Sequence, residues 1–104
     1  SMACYYYSPP PAEGSSALWV VHLAGGGLCT TERGCLSRAN TPLGSGARNA
    51  APTVAGAGVL SNDAAANPHF WGAHKVAVPY QSGDAFHGTR LAATAATWGL
   101  YFSG

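Results

Sequence analysis

Charged side chains are scarce in this sequence, and their scarcity excludes some classes of partner. The 104 residues include five Lys or Arg and four Asp or Glu, for a formal net charge of +1. The cations are spread along the chain, whereas nucleic-acid-binding domains concentrate theirs in a basic patch or stripe. We therefore expect no nucleic-acid partner.

Long apolar segments are also missing. The longest apolar run ends in glycines and is shorter than the roughly 20 residues that a membrane-spanning helix needs. The first residues lack the basic segment and apolar core of a secretory signal peptide. We expect no membrane span and no signal peptide within these residues.

A third absence concerns catalysis. No G-x-S-x-G pentapeptide occurs, so the turn that presents the nucleophilic serine of many hydrolases is not encoded here. The chain is also short for an α/β enzyme with such a serine turn, which needs roughly 200 residues or more in one domain.

The most informative stretch runs from Leu18 to Cys29 and contains three consecutive glycines. Its first half is apolar and rich in β-favouring residues, which predicts a central strand covered on both faces. Gly25, Gly26 and Gly27 lack a Cβ, so the backbone can turn sharply and bring N–H groups against a ligand. Backbone donors at a strand's end bind the developing oxyanion in many hydrolases. A plain glycine-rich turn after a buried strand is the alternative interpretation.

The remaining pattern predicts short strands and two short helical segments. A tyrosine-rich strand over Cys4–Ser8, near a sheet edge, ends at three prolines that cannot donate to a ladder. A second core strand covers Lys75–Tyr80. Thr30 or Thr31 caps a helix that runs to about Arg38. The other predicted segments are a loop over 39–56, an extended piece over 57–60, a turn over 63–71 and a loop over 81–97 that contains a helical piece over 91–96.

Several short motifs occur in an order and spacing that match one known family. After the glycines and the cysteine pair come Gly58-Val-Leu-Ser61, Asn67-Pro-His-Phe-Trp71, Lys75-Val-Ala-Val-Pro-Tyr80 and Ser82-Gly-Asp84 with Gly88. With these motifs the chain resembles the pectin acetylesterase family, which includes the animal Notum carboxylesterases, over most of residues 1–104. Residues 1–7 match a family segment entered after its first two residues, so we expect a chain that begins within that segment.

The resemblance implies an α/β fold: the N-terminal part of an α/β-hydrolase-like three-layer sandwich with an incomplete sheet, residues 1–104 being a single partial domain. It makes the backbone N–H groups of Gly26 and Gly27 oxyanion donors, and it assigns substrate contacts to Gly25, Leu28 and Asp84. The family's Ser, Asp and His triad falls outside these residues, so we expect the isolated chain to be inactive.

The resemblance also implies a substrate and partners. The full-length protein would remove acetyl groups from pectin or a related cell-wall polysaccharide, with no metal or other cofactor. Its other partner would be the remainder of its own hydrolase domain.

The family pairs the cysteines at the positions of Cys29 and Cys35 in a disulfide. Such a small ring would contribute roughly 2 kcal/mol of stability. A disulfide favours a secreted protein, extracellular or in the cell wall. Zinc binding by the pair is the alternative, although C-x5-C is longer than the usual C-x2-4-C spacing. Cys4 has no assigned partner.

Two other sites are conceivable in the second half of the chain. Asp84 and His87 lie three residues apart and could form an acid/base pair, although a loop aspartate that accepts from backbone amides explains the spacing better. His69, His74, Asp84 and His87 could be grouped as metal ligands, but their spacing fits no compact ligand pattern. We therefore predict no metal site.

Some positions around the glycines depart from the family pattern. Ala24 stands where Glu is usual, and Leu28 stands where the family carries Trp or Tyr, which changes a wall of the implied substrate pocket. We expect His22 to be a hydrogen-bonded core residue and Trp19 to be core or pocket wall.

Two other functions stay open. The chain could be a complete, non-catalytic secreted binding module that contains a disulfide, or part of a Notum-like enzyme that removes a lipid ester from a protein. The three glycines resemble the polysaccharide-deacetylating branch, whereas Pro79-Tyr80 and Ser82-Gly-Asp84 resemble the Notum branch.

Overall fold

The computed structural model describes residues 4–15, 17–48 and 51–103, which form two compact units. The sheet unit comprises Cys4–Ala24 and Ala51–Pro79, and the loop unit comprises Gly25–Ala50 and Tyr80–Gly104. Residues 1–3 of the predicted family segment lie outside the described residues. Within the described part of the chain, no helix has both the length and the apolar character needed to cross a membrane.

The sheet unit is built on a mixed three-stranded sheet. Its strands are β1 (Tyr6–Ser8), β2 (Trp19–Leu23) and β3 (His74–Val78), in the order β1–β3–β2. β3 is antiparallel to β1 and parallel to β2, so a long crossover connection joins the parallel pair, as in α/β proteins. The three predicted strands are confirmed, with the tyrosine-rich strand at an edge as expected.

The expectation that the strand ending at Leu23 is central and covered on both faces is wrong. β2 lies at an edge of the sheet, and Trp19, Val21 and Leu23 are 58, 61 and 55% exposed. His22 is exposed as well, not buried in a core. An apolar run indicates which contacts a strand favours, but it does not indicate whether polypeptide is present to make them.

The exposed aromatic and aliphatic side chains share one face of the sheet. The register places Tyr7, Val76 and Val21 side by side. The two-residue period adds Trp19 and His74 to the same face. The Trp19 and His74 rings stack with centroids 4.1 Å apart, and Tyr7 Oη shares a 2.7 Å hydrogen bond with His74 Nδ1. We call this surface the apolar face.

Lys75, on the other face of β3, is a buried cation with only 2% of its surface exposed. Its ammonium donates hydrogen bonds to Asn62 Oδ1 (2.7 Å), Trp71 O (2.7 Å) and Ala73 O (3.1 Å). All three acceptors are neutral, and desolvation by burial lowers the pKa of Lys75. The ammonium thus ties the central strand to the turns that precede it.

The loop unit contains α1 (Glu32–Ala39) and a short antiparallel pair, β4 (Thr89–Arg90) and β5 (Phe102–Ser103). The predicted helix is confirmed. Its N-cap is Thr31, whose hydroxyl accepts from the Gly34 N–H at 3.2 Å. This bond satisfies one of the N–H groups that have no partner in the first helical turn.

Two local predictions are wrong. Residues 57–60 are not extended; Gly58–Leu60 form a 3₁₀ turn that starts from a left-handed Gly58 (φ 58°). No α-helix forms over 91–96, where the only helical piece is a 3₁₀ turn at Ala95–Thr97, ended by a left-handed Trp98 (φ 52°). An alanine-rich segment this short cannot offset the cost of helix nucleation without tertiary support.

The isolated 104-residue chain should self-associate, because β2 combines an unpaired outer edge, among the described residues, with the apolar face. Val21→Lys places a charge at the middle of that edge and should shift the chain toward monomer. Ser37→Lys, which adds the same charge on exposed α1, is the matched control. Light scattering coupled to size-exclusion chromatography measures the shift. A wild-type chain that elutes as a monodisperse monomer would contradict this expectation.

Lys75→Met should lower the free energy of unfolding by about 2 kcal/mol, because buried acceptors lose their donor. Since the folded pKa lies below the ordinary 10.5, the native state releases its proton first as pH rises. Stability should therefore rise with pH between the folded pKa and 10.5, and the variant should lack this rise. Urea denaturation across that range measures both effects, with exposed Arg33→Met as control. Equal stability of the Lys75 variant and wild type would contradict the assigned role.

Candidate functional site

The candidate site lies in the loop unit, where the segments that follow two parallel strands meet. Because β2 and β3 are parallel, their carboxyl ends share one edge of the sheet, the usual position of ligand sites in α/β proteins. The Ala24 N–H donates to Val78 O at 3.0 Å, which continues the pairing to the residue before the glycines. Gly25–Gly27 then follows β2, and the loop over 80–88 follows β3.

Gly26 lies against the ring of Tyr80. A Cβ at Gly26 would come within 2.9 Å of Tyr80 Cε1 and 3.1 Å of Leu43 Cδ2, distances that real Cβ atoms rarely show. Gly27 has a φ of +71°, in the left-handed region that favours glycine. Gly25 has open space where its Cβ would be. Glycine is therefore required for packing at position 26 and for backbone conformation at position 27.

Side chains hold the carbonyl oxygens of this loop. Arg38 Nη1 donates to Gly26 O at 2.7 Å and to Gly27 O at 3.2 Å. Tyr80 Oη donates to Gly27 O at 2.7 Å. The Arg38 guanidinium also lies 6.0 Å from the centre of the Tyr80 ring, within the range of a cation–π contact. We call the side chains of Arg38 and Tyr80 the clamp.

The N–H groups of the glycine loop, unlike its carbonyls, have no hydrogen-bond partner among the described residues. Neither the Gly26 nor the Gly27 N–H donates a hydrogen bond to any described residue, and the same holds for Leu28. Gly26 is half-buried, and Gly27 and Leu28 are exposed. Backbone N–H groups in folded proteins nearly always have a partner in protein or water. Adjacent unpaired donors on a fixed loop can hold a carbonyl oxygen or an oxyanion.

The loop after β3 is shaped by Tyr80 and Asp84. The Tyr80 hydroxyl accepts from the Ala85 N–H at 2.7 Å, and Asp84 Oδ1 accepts from the Phe86 N–H at 3.1 Å. Ala85 and Phe86 both adopt left-handed φ values, 56° and 61°, which cost about 1 kcal/mol or more each. Such strain persists only where surrounding contacts over-determine the backbone.

Asp84 and His87 are joined through the backbone and not through their side chains. The His87 N–H donates to the Asp84 carbonyl at 3.1 Å, and the two side chains share no hydrogen bond. Asp84 Oδ2 is buried without a hydrogen-bond partner among the described residues. Asp84 therefore acts as the backbone-capping aspartate of the preferred sequence interpretation. Within the described ranges, no three His, Cys, Asp or Glu side chains lie close enough together to hold a metal ion.

The predicted disulfide between Cys29 and Cys35 is present, with Cα atoms 5.1 Å apart. The bond occupies both sulfurs and so removes the alternative of zinc binding by the pair. It joins the segment after the glycines to α1, and the Cys29 N–H donates to Gly83 O at 3.1 Å. Arg38 follows Cys35 by three residues and thus lies on the same helical face. Cys4 is a free, half-buried thiol.

A cavity of about 230 Å³ in the loop unit is lined by the disulfide, Arg38, Ser82 and Phe102 among others. Ser82 Oγ is buried and has no hydrogen-bond partner among the described residues. None of the three consecutive glycines is among the lining residues. This cavity is therefore separate from the unpaired N–H groups.

Sequence reasoning missed the clamp. Arg38 was predicted only as the end of a helix, and Tyr80 as the end of a strand and part of a motif resembling the Notum branch. Two features of the sequence could have indicated these residues: Arg38 is one helical turn beyond Cys35, and Tyr80 is the last residue of the Lys75–Tyr80 motif. Neither signal indicates a contact with the glycine loop until the two segments are brought together in space.

A family model for pectinacetylesterase matches residues 1–104. The chain belongs to the pectinacetylesterase family. Pectin acetylesterase 5 of Arabidopsis thaliana is 42% identical over 88 residues, covering 85% of this chain and 20% of the relative. The palmitoleoyl-protein carboxylesterase NOTUM of Schmidtea mediterranea is 36% identical over 101 residues, covering 95% of this chain and 18% of the relative.

A solved structure of the Wnt deacylase Notum from Drosophila matches with a TM-score of 0.79 and 33% identity, covering 92% of this chain and 27% of the Notum chain. The predicted family resemblance and the α/β-hydrolase-like fold class are confirmed. The chain spans about a fifth of the length of the two curated relatives.

Gly26→Ala and Gly25→Ala form a matched pair. Gly26→Ala should cost about 1–3 kcal/mol of stability, since the new methyl must displace the Tyr80 ring. Gly25→Ala should be close to neutral, because nothing lies within 4 Å of its Cβ position. Thermal denaturation of both variants measures the difference. If the two variants melt alike, the packing assigned to Gly26 is incorrect.

Proposed function

We propose that the full-length protein is a carboxylic ester hydrolase that removes acetyl groups from pectin or a related cell-wall polysaccharide. One observation of the structure supports the proposal: the adjacent N–H groups of Gly26 and Gly27 have no hydrogen-bond partner among the described residues, while the carbonyls of the same two glycines accept from Arg38 and Tyr80. Membership of the pectinacetylesterase family supports ester hydrolysis as the reaction.

In the proposed mechanism a serine outside these 104 residues attacks the acetyl carbonyl carbon. A histidine, oriented by an aspartate, takes the serine proton. The carbonyl oxygen becomes negatively charged and accepts hydrogen bonds from the Gly26 and Gly27 N–H groups. Each such donor contributes about 3 kcal/mol to the transition state. The sugar alcohol then leaves with the proton, and water hydrolyses the acyl-enzyme without a metal or other cofactor.

The remaining predicted site residues have supporting roles in this proposal. Gly25 provides open space at the entrance of the loop, and Leu28, 59% exposed, forms an apolar wall beside the donors. Asp84 supports substrate binding by fixing the loop after β3. Residues 1–104 act as one partial domain that functions with the remainder of the hydrolase.

Secretion is part of the same proposal. The Cys29–Cys35 disulfide supports it, because such bonds persist in oxidising compartments and are rare in the cytosol. A cell-wall substrate would require that location.

A lipid-ester substrate of the Notum type is the second candidate. It is supported by the similarity to NOTUM of Schmidtea mediterranea and to the Drosophila Notum structure. The two candidates share the oxyanion donors and differ in the size of the acyl group that the pocket must accept.

The full-length protein should hydrolyse 4-nitrophenyl acetate and release acetate from acetylated pectin, and the isolated 104-residue chain should do neither above buffer. The reason is that oxyanion donors without a nucleophile stabilise a charge that never forms. Acetate release and nitrophenolate absorbance are the readouts. Preference for a long-chain ester over the acetyl ester would favour the Notum-like candidate. Binding of acetylated pectin without hydrolysis would favour a non-catalytic binding module.

A further inference from the structure

By binding the Gly26 and Gly27 carbonyl oxygens, the clamp orients the whole peptide group to which each oxygen belongs. In a trans peptide the C=O and the N–H that follows it point in opposite directions. The peptide that carries Gly26 O also carries the Gly27 N–H, and the peptide that carries Gly27 O also carries the Leu28 N–H. Hydrogen bonds that hold these oxygens on one side therefore direct the corresponding N–H groups to the other side.

We propose that Arg38 and Tyr80 are positioning residues for the oxyanion donors: Arg38 orients the Gly27 N–H through Gly26 O, and Tyr80 packs its ring against Gly26 and fixes the peptide that follows Gly27 through Gly27 O. The proposal rests on the proposed esterase function. It adds that the direction of the donors depends on two side chains that would not touch the substrate. Gly26, whose own N–H belongs to the preceding peptide, is held instead by contact of its Cα with the Tyr80 ring.

Arg38 also brings a positive charge to the carbonyl oxygens that it orients. Among the described residues its guanidinium pairs with no carboxylate, and Nη1 is directed to the two glycine carbonyls. A cation on a carbonyl oxygen polarises the whole peptide group and makes its N–H a stronger donor. The Gly27 N–H should therefore bind a developing negative charge better than an ordinary backbone amide.

The position of Arg38 is itself fixed at three places. The Thr31 cap sets the start of α1, and the Cys29–Cys35 disulfide holds the helix beside the glycine loop. At the helix end, the Thr41 hydroxyl donates to Arg38 O at 2.7 Å. The Tyr80 hydroxyl is fixed by accepting from the Ala85 N–H while it donates to Gly27 O. Both members of the clamp are thus preorganised, as oxyanion donors require.

The test compares Arg38→Met, Arg38→Lys and Tyr80→Phe in the full-length protein, with exposed Arg33→Met as control. Arg38→Met should lower kcat for the acetyl ester about tenfold to a hundredfold and leave KM nearly unchanged, since orientation matters mainly in the transition state. Arg38→Lys should recover part of the loss. Tyr80→Phe keeps the ring against Gly26 and should cost about threefold to tenfold. Arg33→Met should match wild type.

Two further readouts separate orientation from general destabilisation. Free guanidinium ion at millimolar concentration should restore part of the kcat of Arg38→Ala, whereas sodium chloride at the same ionic strength should not. In protein labelled with 15N-glycine, Arg38→Met should shift the Gly27 amide resonance, and Arg33→Met should leave it unchanged.

The failures of the two proposals are distinguishable. An active wild type whose Arg38→Met variant retains the kcat of Arg33→Met would overturn the positioning role and leave the esterase proposal intact. A wild type with no activity on any ester would refute the proposed function. The Gly27 resonance would then decide whether Arg38 orients the loop: an unshifted amide in Arg38→Met overturns this inference as well.

Discussion

The parallel pairing of β2 with β3 is the constraint on which the rest of the molecule depends. It brings residue 24 beside residue 78 through a 3.0 Å hydrogen bond, so the segments that leave the two strands start from neighbouring positions. The hydrogen bonds to the glycine carbonyls come from the segment that follows β3 and from the helix that follows the glycines. A glycine turn after an isolated strand would have no Tyr80 ring to pack against and no reason to hold its carbonyls inward.

Acidic residues are scarce, and the described partners of buried Lys75 and half-buried Arg38 are neutral. Lys75 and Arg38 both direct their N–H groups to neutral oxygens, most of them main-chain carbonyls. A carboxylate partner would neutralise the cation, whereas a carbonyl partner leaves the positive charge to polarise the peptide group. For Lys75 the outcome is a link between a strand and the preceding turns. For Arg38 the outcome is a polarised peptide at the site, which joins the electrostatics of the chain to its proposed chemistry.

The disulfide and the glycines serve one structural purpose. Gly26 and Gly27 allow the backbone to approach Tyr80 closely and to adopt a positive φ. These freedoms would leave the loop mobile if nothing restrained it. The ring closed by Cys29 and Cys35 supplies the restraint by bringing α1, and with it Arg38, beside the loop. The loop is therefore held where contacts are made: Gly26 packs against the Tyr80 ring, and the Gly26 and Gly27 carbonyls accept hydrogen bonds from Arg38 and Tyr80.

The sequence by itself determined the three strands of the sheet, α1 and the glycine loop, because these follow from residue types, spacing and cap chemistry that act locally. The family and the disulfide pairing came from the resemblance of its motifs to a known family. Tertiary structure alone decided that β3, not β2, is central and that the Trp19 face is exposed, since burial depends on which other polypeptide is present. It also decided that Arg38 and Tyr80 meet the glycine carbonyls. Their separation of 42 positions in the chain leaves no local pattern, and only the tertiary fold brings the Arg38 guanidinium to 6.0 Å from the centre of the Tyr80 ring.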